Sequence, residues 1–177
     1  MKRCYFLVFL VFIAGCVSYR TPPSLVAGKS TTPPELVDSF VPPAVWSGTR
    51  LPIFVEASDP DGDLAGFRVE VTQAGGNMFE NYFVPLKRDG HLMVEGYISL
   101  DIPNLIDPEY LTISIQAVDN SGHRSMVKVH RVTVGFGRIS ANKIPEKWTE
   151  ARKNCIGHIF FEFERQHDGE DDFKIYR

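Results

Sequence analysis

The chain has 177 residues, of which 44% are hydrophobic, 12% aromatic and 23% charged. That balance excludes a disordered chain, a collagen-like repeat and a membrane protein of many spans. With 19 basic and 22 acidic residues the net charge is −3, so there is no basic excess to neutralise phosphates, and nucleic acid is not an expected partner. Three cysteines are too few for a disulfide framework.

Met1-Lys2-Arg3 opens the chain with two positive charges, and Cys4 to Ala14 form an uncharged, mostly apolar run. Crossing the ~30 Å hydrocarbon layer takes ~20 apolar residues, so the run is too short for a stable span and has the size of a signal-peptide core. It ends in Ile13-Ala14-Gly15-Cys16, which resembles the lipobox of bacterial lipoproteins. Small residues at Ala14 and Gly15 let an extended backbone enter a membrane peptidase. The resemblance implies cleavage after Gly15, removal of 1–15 as a signal peptide, and acylation of Cys16. Each buried methylene adds ~0.8 kcal/mol, so several acyl chains anchor firmly. Val17 follows the cysteine where an aspartate would favour inner-membrane retention, so the resemblance implies a lipid-anchored envelope protein of the outer membrane, on its periplasmic face or at the surface.

Residues 16–36 read as the lipidated cysteine and a tether. Thr21-Pro22-Pro23-Ser24 and Thr31-Thr32-Pro33-Pro34 favour extended polyproline conformations and prevent helix.

Over 37–136 the hydrophobic period becomes two. Ile53, Val55 and Ala57 alternate with Phe54, Glu56 and Ser58. Phe67, Val69 and Val71 alternate with Arg68, Glu70 and Thr72. Leu92, Val94, Ile98, Leu100 and Ile102 share one parity, and Leu111, Ile113, Ile115 and Ala117 another. Such alternation predicts strands with one buried face. Val127 and Val129 are odd whereas Val132 and Val134 are even, which predicts a β-bulge near His130-Arg131. Turn signals separate the runs, among them Asp59-Pro60-Asp61-Gly62-Asp63, Gly75-Gly76-Asn77, Arg88-Asp89-Gly90 and Asp119-Asn120-Ser121-Gly122. With short strands near Ser39–Val41 and Tyr82–Leu86, about seven strands fall in ~100 residues, the size of an immunoglobulin-like antiparallel β-sandwich.

Val55 to Asp63 resembles the second strand and following loop of bacterial immunoglobulin-like and cadherin-like domains, and Leu111 to Ser125 resembles their last hairpin. The resemblance implies a mainly β sandwich and says little about function, because many unrelated jobs use this fold. No cysteine pair and no central tryptophan stand at the antibody-type positions, and Leu111 stands where fibronectin domains carry tyrosine.

Residues 137–177 read as a small αβ extension. Ile144, Trp148, Ala151 and Cys155 fall on one helical face, with Pro145 in the first turn and Gly157 as a stop. His158 to Glu164 predicts a strand with Ile159, Phe161 and Phe163 on one face, and Phe173 to Tyr176 a second strand completing a hairpin. So apolar a strand must pack or pair; burial against the sandwich is the expected fate, and docking to a partner the alternative.

The candidate metal ligands are Asp59, Asp61 and Asp63, with Asp119 and Asn120 brought beside them, since in this topology both loops lie at one end of the sandwich. Clustered hard oxygens suit Ca²⁺, which takes 6–8 of them. The same residues are also turn formers, stabilised by side chain to backbone hydrogen bonds, and both readings stand. None of the five histidines has zinc-ligand spacing, and no nucleophile elbow or phosphate loop is present, so the expectation is no catalytic residues and no enzyme. Trp46, Phe79, Tyr82 and Phe83 could stack sugars or seal the ends of the core. The expected function is a membrane-anchored, non-enzymatic protein-interaction or scaffolding module of the envelope, with a calcium-stabilised glycan-binding module as the alternative.

Overall fold

The computed structural model describes residues 32–74, 78–87, 91–104, 109–136 and 143–160. The tether up to Thr31, Cys16 included, and the second strand expected at 173–176 lie outside these residues.

The described residues form nine strands: β1 Glu35–Phe40, β2 Ala44–Trp46, β3 Arg50–Ser58, β4 Leu64–Gln73, β5 Met78–Pro85, β6 Met93–Asp101, β7 Glu109–Asp119, β8 Lys128–Gly135 and β9 Cys155–Phe160. They make two sheets, ordered β1-β3-β6-β9 and β2-β8-β7-β4-β5. The pairing is antiparallel except for β2 on β8 and β9 on β6. This is the expected immunoglobulin-like sandwich.

Alternation explains the core. Leu51, Ile53, Val55 and Ala57 of β3 and Ile98 and Leu100 of β6 face Phe67, Val69 and Val71 of β4 and Leu111, Ile113, Ile115 and Ala117 of β7. Each Val, Leu, Ile or Phe among them contributes ~1.5–3 kcal/mol by leaving water. The two sheets are also braced at their margin: Ser39 Oγ lies 2.7 Å from His130 Nε2, and Lys128 Nζ donates to the Val37 carbonyl at 2.6 Å.

The bulge expected near His130-Arg131 is absent. The β7–β8 register runs unbroken from Glu109↔Val134 to Ile115↔Lys128. The even residues Val132 and Val134 face inward, with half-buried His130 in phase with them. Val127 and Val129 lie on the outer side, exposed. The apparent phase change is two valines at the surface.

Sequence alternation also places Phe54 at the surface, yet it is buried. The expected helix is instead two short 3₁₀ turns, Glu146–Trp148 and Ala151–Lys153, which lie over the outer face of the first sheet. Trp148 lies tilted against Phe54 with ring centroids 5.7 Å apart, and the Phe54 centroid lies 6.2 Å from that of Phe40, which stacks on it, and 6.1 Å from that of Tyr97. Lys147 locks the cover in place, reaching Asp38 Oδ2 at 2.7 Å and Glu56 Oε2 at 2.9 Å. That pairing holds the Asp38 carboxyl below, and the Lys147 amine above, their ordinary values. Pro145 caps the first turn, as its position suggested. Cys155 and Gly157 belong to β9, not to a helix and its stop. β9 starts three residues before the expected strand, with Ile156 and Ile159 buried and Phe160 exposed. Gly157 is required by a close approach: a Cβ there would meet Val84 Cγ1 at 2.5 Å.

Two outcomes test this account. Trp148→Ala removes the lid over Phe54 and is expected to cost about 3–5 kcal/mol in urea unfolding followed by circular dichroism. His130 is held below its ordinary pKa, first by burial and then by Lys128, against the pull of Asp38. The unfolded chain therefore takes up a proton at His130 more readily than the folded one, and stability falls as pH drops below about 6.5. A His130→Gln variant is expected to melt with a flatter pH dependence between 7 and 5.

Candidate metal centre

Asp59 ends the turn side of β3, and Asp63 leads into β4. The chain between them is a tight turn in which Gly62 N–H donates to the Asp59 carbonyl at 3.1 Å. Gly62 has φ +75°, the left-handed conformation that glycine adopts without strain. The β7 end repeats the device. Gly122 N–H donates to the Asp119 carbonyl at 3.2 Å, and Gly122 has φ +90°. Register then brings the two turns together: Leu64 pairs with Asp119, and Asn120 N–H donates to the Asp63 carbonyl at 3.0 Å.

The result is a group of three carboxylates. One oxygen from each of Asp59, Asp63 and Asp119 lies within 4.8 Å of the others. Asp59 and Asp119 are each 1% exposed and Asp63 is half-buried. The turns use some of their acceptors. Asp61 N–H donates to Asp59 Oδ1 at 3.1 Å, and His123 N–H to Asp119 Oδ1 at 2.8 Å. His123 Nδ1 lies 2.8 Å from Asp119 Oδ2. Asp59 Oδ2 and both carboxylate oxygens of Asp63 are buried without a hydrogen-bond partner.

Turn chemistry and ligation are thus not alternatives here. The turns are present, and they leave three acceptor atoms unused in a site where unpaired charge is costly. Burial raises the Asp59 pKa against the opposing hydrogen bond from Asp61 N–H, and the neighbouring carboxyl groups of Asp63 and Asp119 raise it further. Without a cation, a proton is held more tightly in the folded than in the unfolded state, so this group's stabilising contribution is lost as pH rises through its raised value. A bound cation removes that conflict.

Of the expected ligands, the structure gathers Asp59, Asp63 and Asp119. Asp61 stands outside the group: it is exposed, and its Oδ2 accepts from Thr32 N–H at 3.0 Å. Asn120 is at the margin through its main chain. His123 joins the site beyond the expected ligands, and its position four residues after Asp119, just past a glycine turn, is the sequence signal for it.

The aromatic residues do not form one row. Trp46 sits on β2 and Phe83 on β5, at opposite edges of the second sheet. Tyr82 packs against the core, and the Phe79 side chain lies outside the described residues. Cys155 Sγ lies 3.5 Å from His158 Nε2 on β9.

No family model matches the chain. No curated protein matches it either. Among solved structures it is similar to the CARDB domain of a Pyrococcus furiosus protein, crystallised in complex with di-metal ions. The identity is 15% and the TM-score 0.34, with 61% of this chain and 99% of that chain covered.

Proposed function

We propose that this protein is a lipid-anchored, non-enzymatic interaction module of the bacterial envelope whose sandwich is closed at one end by a calcium ion. The observation that carries the metal reading is the set of unpartnered, buried carboxylate oxygens on Asp59 and Asp63, converging with Asp119. The donors are all hard oxygens, which suits Ca²⁺ rather than zinc. Bonds of ~2.3–2.6 Å put two calcium ligands up to ~5 Å apart, which accommodates the spacing found. Ca²⁺ ordinarily takes 6–8 oxygens, so carbonyls and water complete the shell. Such an ion neutralises the repulsion between the two turns and stiffens the end of the sandwich at which β4 and β7 meet.

The anchoring part of the proposal rests on the lipobox-like Ile13-Ala14-Gly15-Cys16 and the proline-rich spacer after it. Val17 favours the outer membrane. A tethered sandwich without a recognisable catalytic motif is most simply a surface that holds another envelope protein.

Two measurements check these parts separately. Calcium at a hundredfold excess over Kd is expected to stabilise the full chain in detergent by about 2.7 kcal/mol, read as a higher melting temperature than in chelator. Asp63→Asn is expected to invert the order. It removes a repelling charge, so it melts above the parent in chelator and below it in calcium; coincident curves in calcium and chelator for the parent would refute the metal centre. For the anchor, Cys16→Ser is expected to abolish incorporation of labelled palmitate and to move the protein from the membrane to the soluble fraction.

A further inference from the structure

The outer face of the second sheet carries a cleft of about 250 Å³ lined by Arg68, Asn81, Tyr82, Phe83, Val118 and Arg124. Arg68 lies on β4, paired with Phe83 of β5 on one side and Gln116 of β7 on the other. Arg124 is brought in by the bridge Val118↔Arg124, where the chain returns from the Gly122 turn. Two arginines thus line one small cleft on a chain of net charge −3. Neither makes an ion pair among the described residues. Arg68 is oriented: its Nε–H donates to Asn81 Oδ1 at 3.0 Å, which fixes the plane of the guanidinium. Phe83 is 52% exposed, and with Val118 it adds apolar surface to the cleft.

We propose that this cleft binds a carboxylate side chain, glutamate above all, from an acidic segment of a partner protein. The planar forks of two arginines match a carboxylate, and apolar surface beside them matches the methylenes of glutamate. A volume below the ~300–1,000 Å³ of ordinary ligand pockets suits one side chain rather than a cofactor. A sugar chain is disfavoured because Trp46 and Phe83 stand at opposite edges and give no row of stacking rings. The proposal rests on the reading of the domain as a protein-interaction module and identifies the chemistry of its partner. No residue of the cleft belongs to the carboxylate group of the metal centre.

The test is an anisotropy titration of the full chain in detergent, at low salt, with a fluorescent hexaglutamate peptide. Variants are first shown to melt cooperatively. Saturable binding is expected, with Arg68→Gln and Arg124→Gln each weakening it about tenfold. Arg131→Gln, which removes one charge from the exposed side of β8, is expected to change it less than twofold. Binding is expected in calcium and in chelator alike. No binding, or equal losses in all three variants, would overturn the proposal. Equal affinity for hexagalacturonate would replace the peptide by an acidic glycan. Binding only in calcium would put the carboxylates on the ion and not in the cleft, whereas failure of the metal centre itself shows in the melting curves and leaves this titration unaffected.

Discussion

The register between β4 and β7 is the constraint on which the rest of this structure depends. It pairs Phe67 with Ala117, Val69 with Ile115 and Val71 with Ile113, and these side chains are the centre of the core. A slip of one residue would turn each of them to the opposite face. A one-residue shift between Leu64 and Gly66 then sets Leu64 against Asp119 and so lays two aspartate-glycine turns side by side. That shift adjusts β4 just as the chain leaves the 59–63 turn. Hydrophobic burial therefore fixes the position of three carboxylates that electrostatics alone would drive apart.

Why such a grouping survives follows from the division of labour within each aspartate. The main-chain carbonyls of Asp59 and Asp119 close the turns, and one carboxylate oxygen of each takes a turn N–H. The first task any residue could perform, but the second calls for a short side-chain acceptor such as aspartate or asparagine. Asp63 makes no such contribution: neither of its carboxylate oxygens has a partner. A turn alone would be served as well by a neutral residue at 63. The carboxylate at 63 is the part of the site that turn formation does not explain, and it is the observation on which the metal reading rests.

Much of this was legible in the sequence, for physical reasons that can be named. Period-two alternation in β3, β4 and β7 comes from one-sided burial, and the glycine-bearing turns mark their ends. The meeting of the 59–63 and 119–120 loops follows from sandwich topology once the strands are placed. Burial on the second face of a strand is not legible in that alternation. Phe54 stands at a position that alternation assigns to solvent, and only Trp148, more than ninety residues later in the chain, covers it. The spacing Ile144, Trp148, Ala151 marks a face correctly, since Trp148 and Ala151 are both buried, but two 3₁₀ turns present it as well as a helix would. Asp61 looked equivalent to its neighbours because sequence spacing does not distinguish an inward side chain from one at the tip of a turn.

The pleat of one strand keeps two opposite chemistries apart. Asp119 ends β7 pointing into the sandwich, at the acidic group, while Val118 points out, into the cleft with Arg68 and Arg124. The segment His123–Ser125 is tied to β7 by hydrogen bonds within the chain. His123 N–H bonds Asp119 Oδ1, Asp119 N–H bonds the His123 carbonyl at 3.2 Å, and Ser125 N–H bonds the Ala117 carbonyl at 3.0 Å. Buried Ser125 adds its hydroxyl to the Ala117 N–H at 2.9 Å. Arg124 is held between these contacts, so its backbone is positioned by hydrogen bonds that the carboxylate group shares only through Asp119. The pleat thus turns the cleft lined by Arg68 and Arg124 outward, away from the three carboxylates gathered at the end of the sandwich, so that opposite charges lie on opposite sides of one strand.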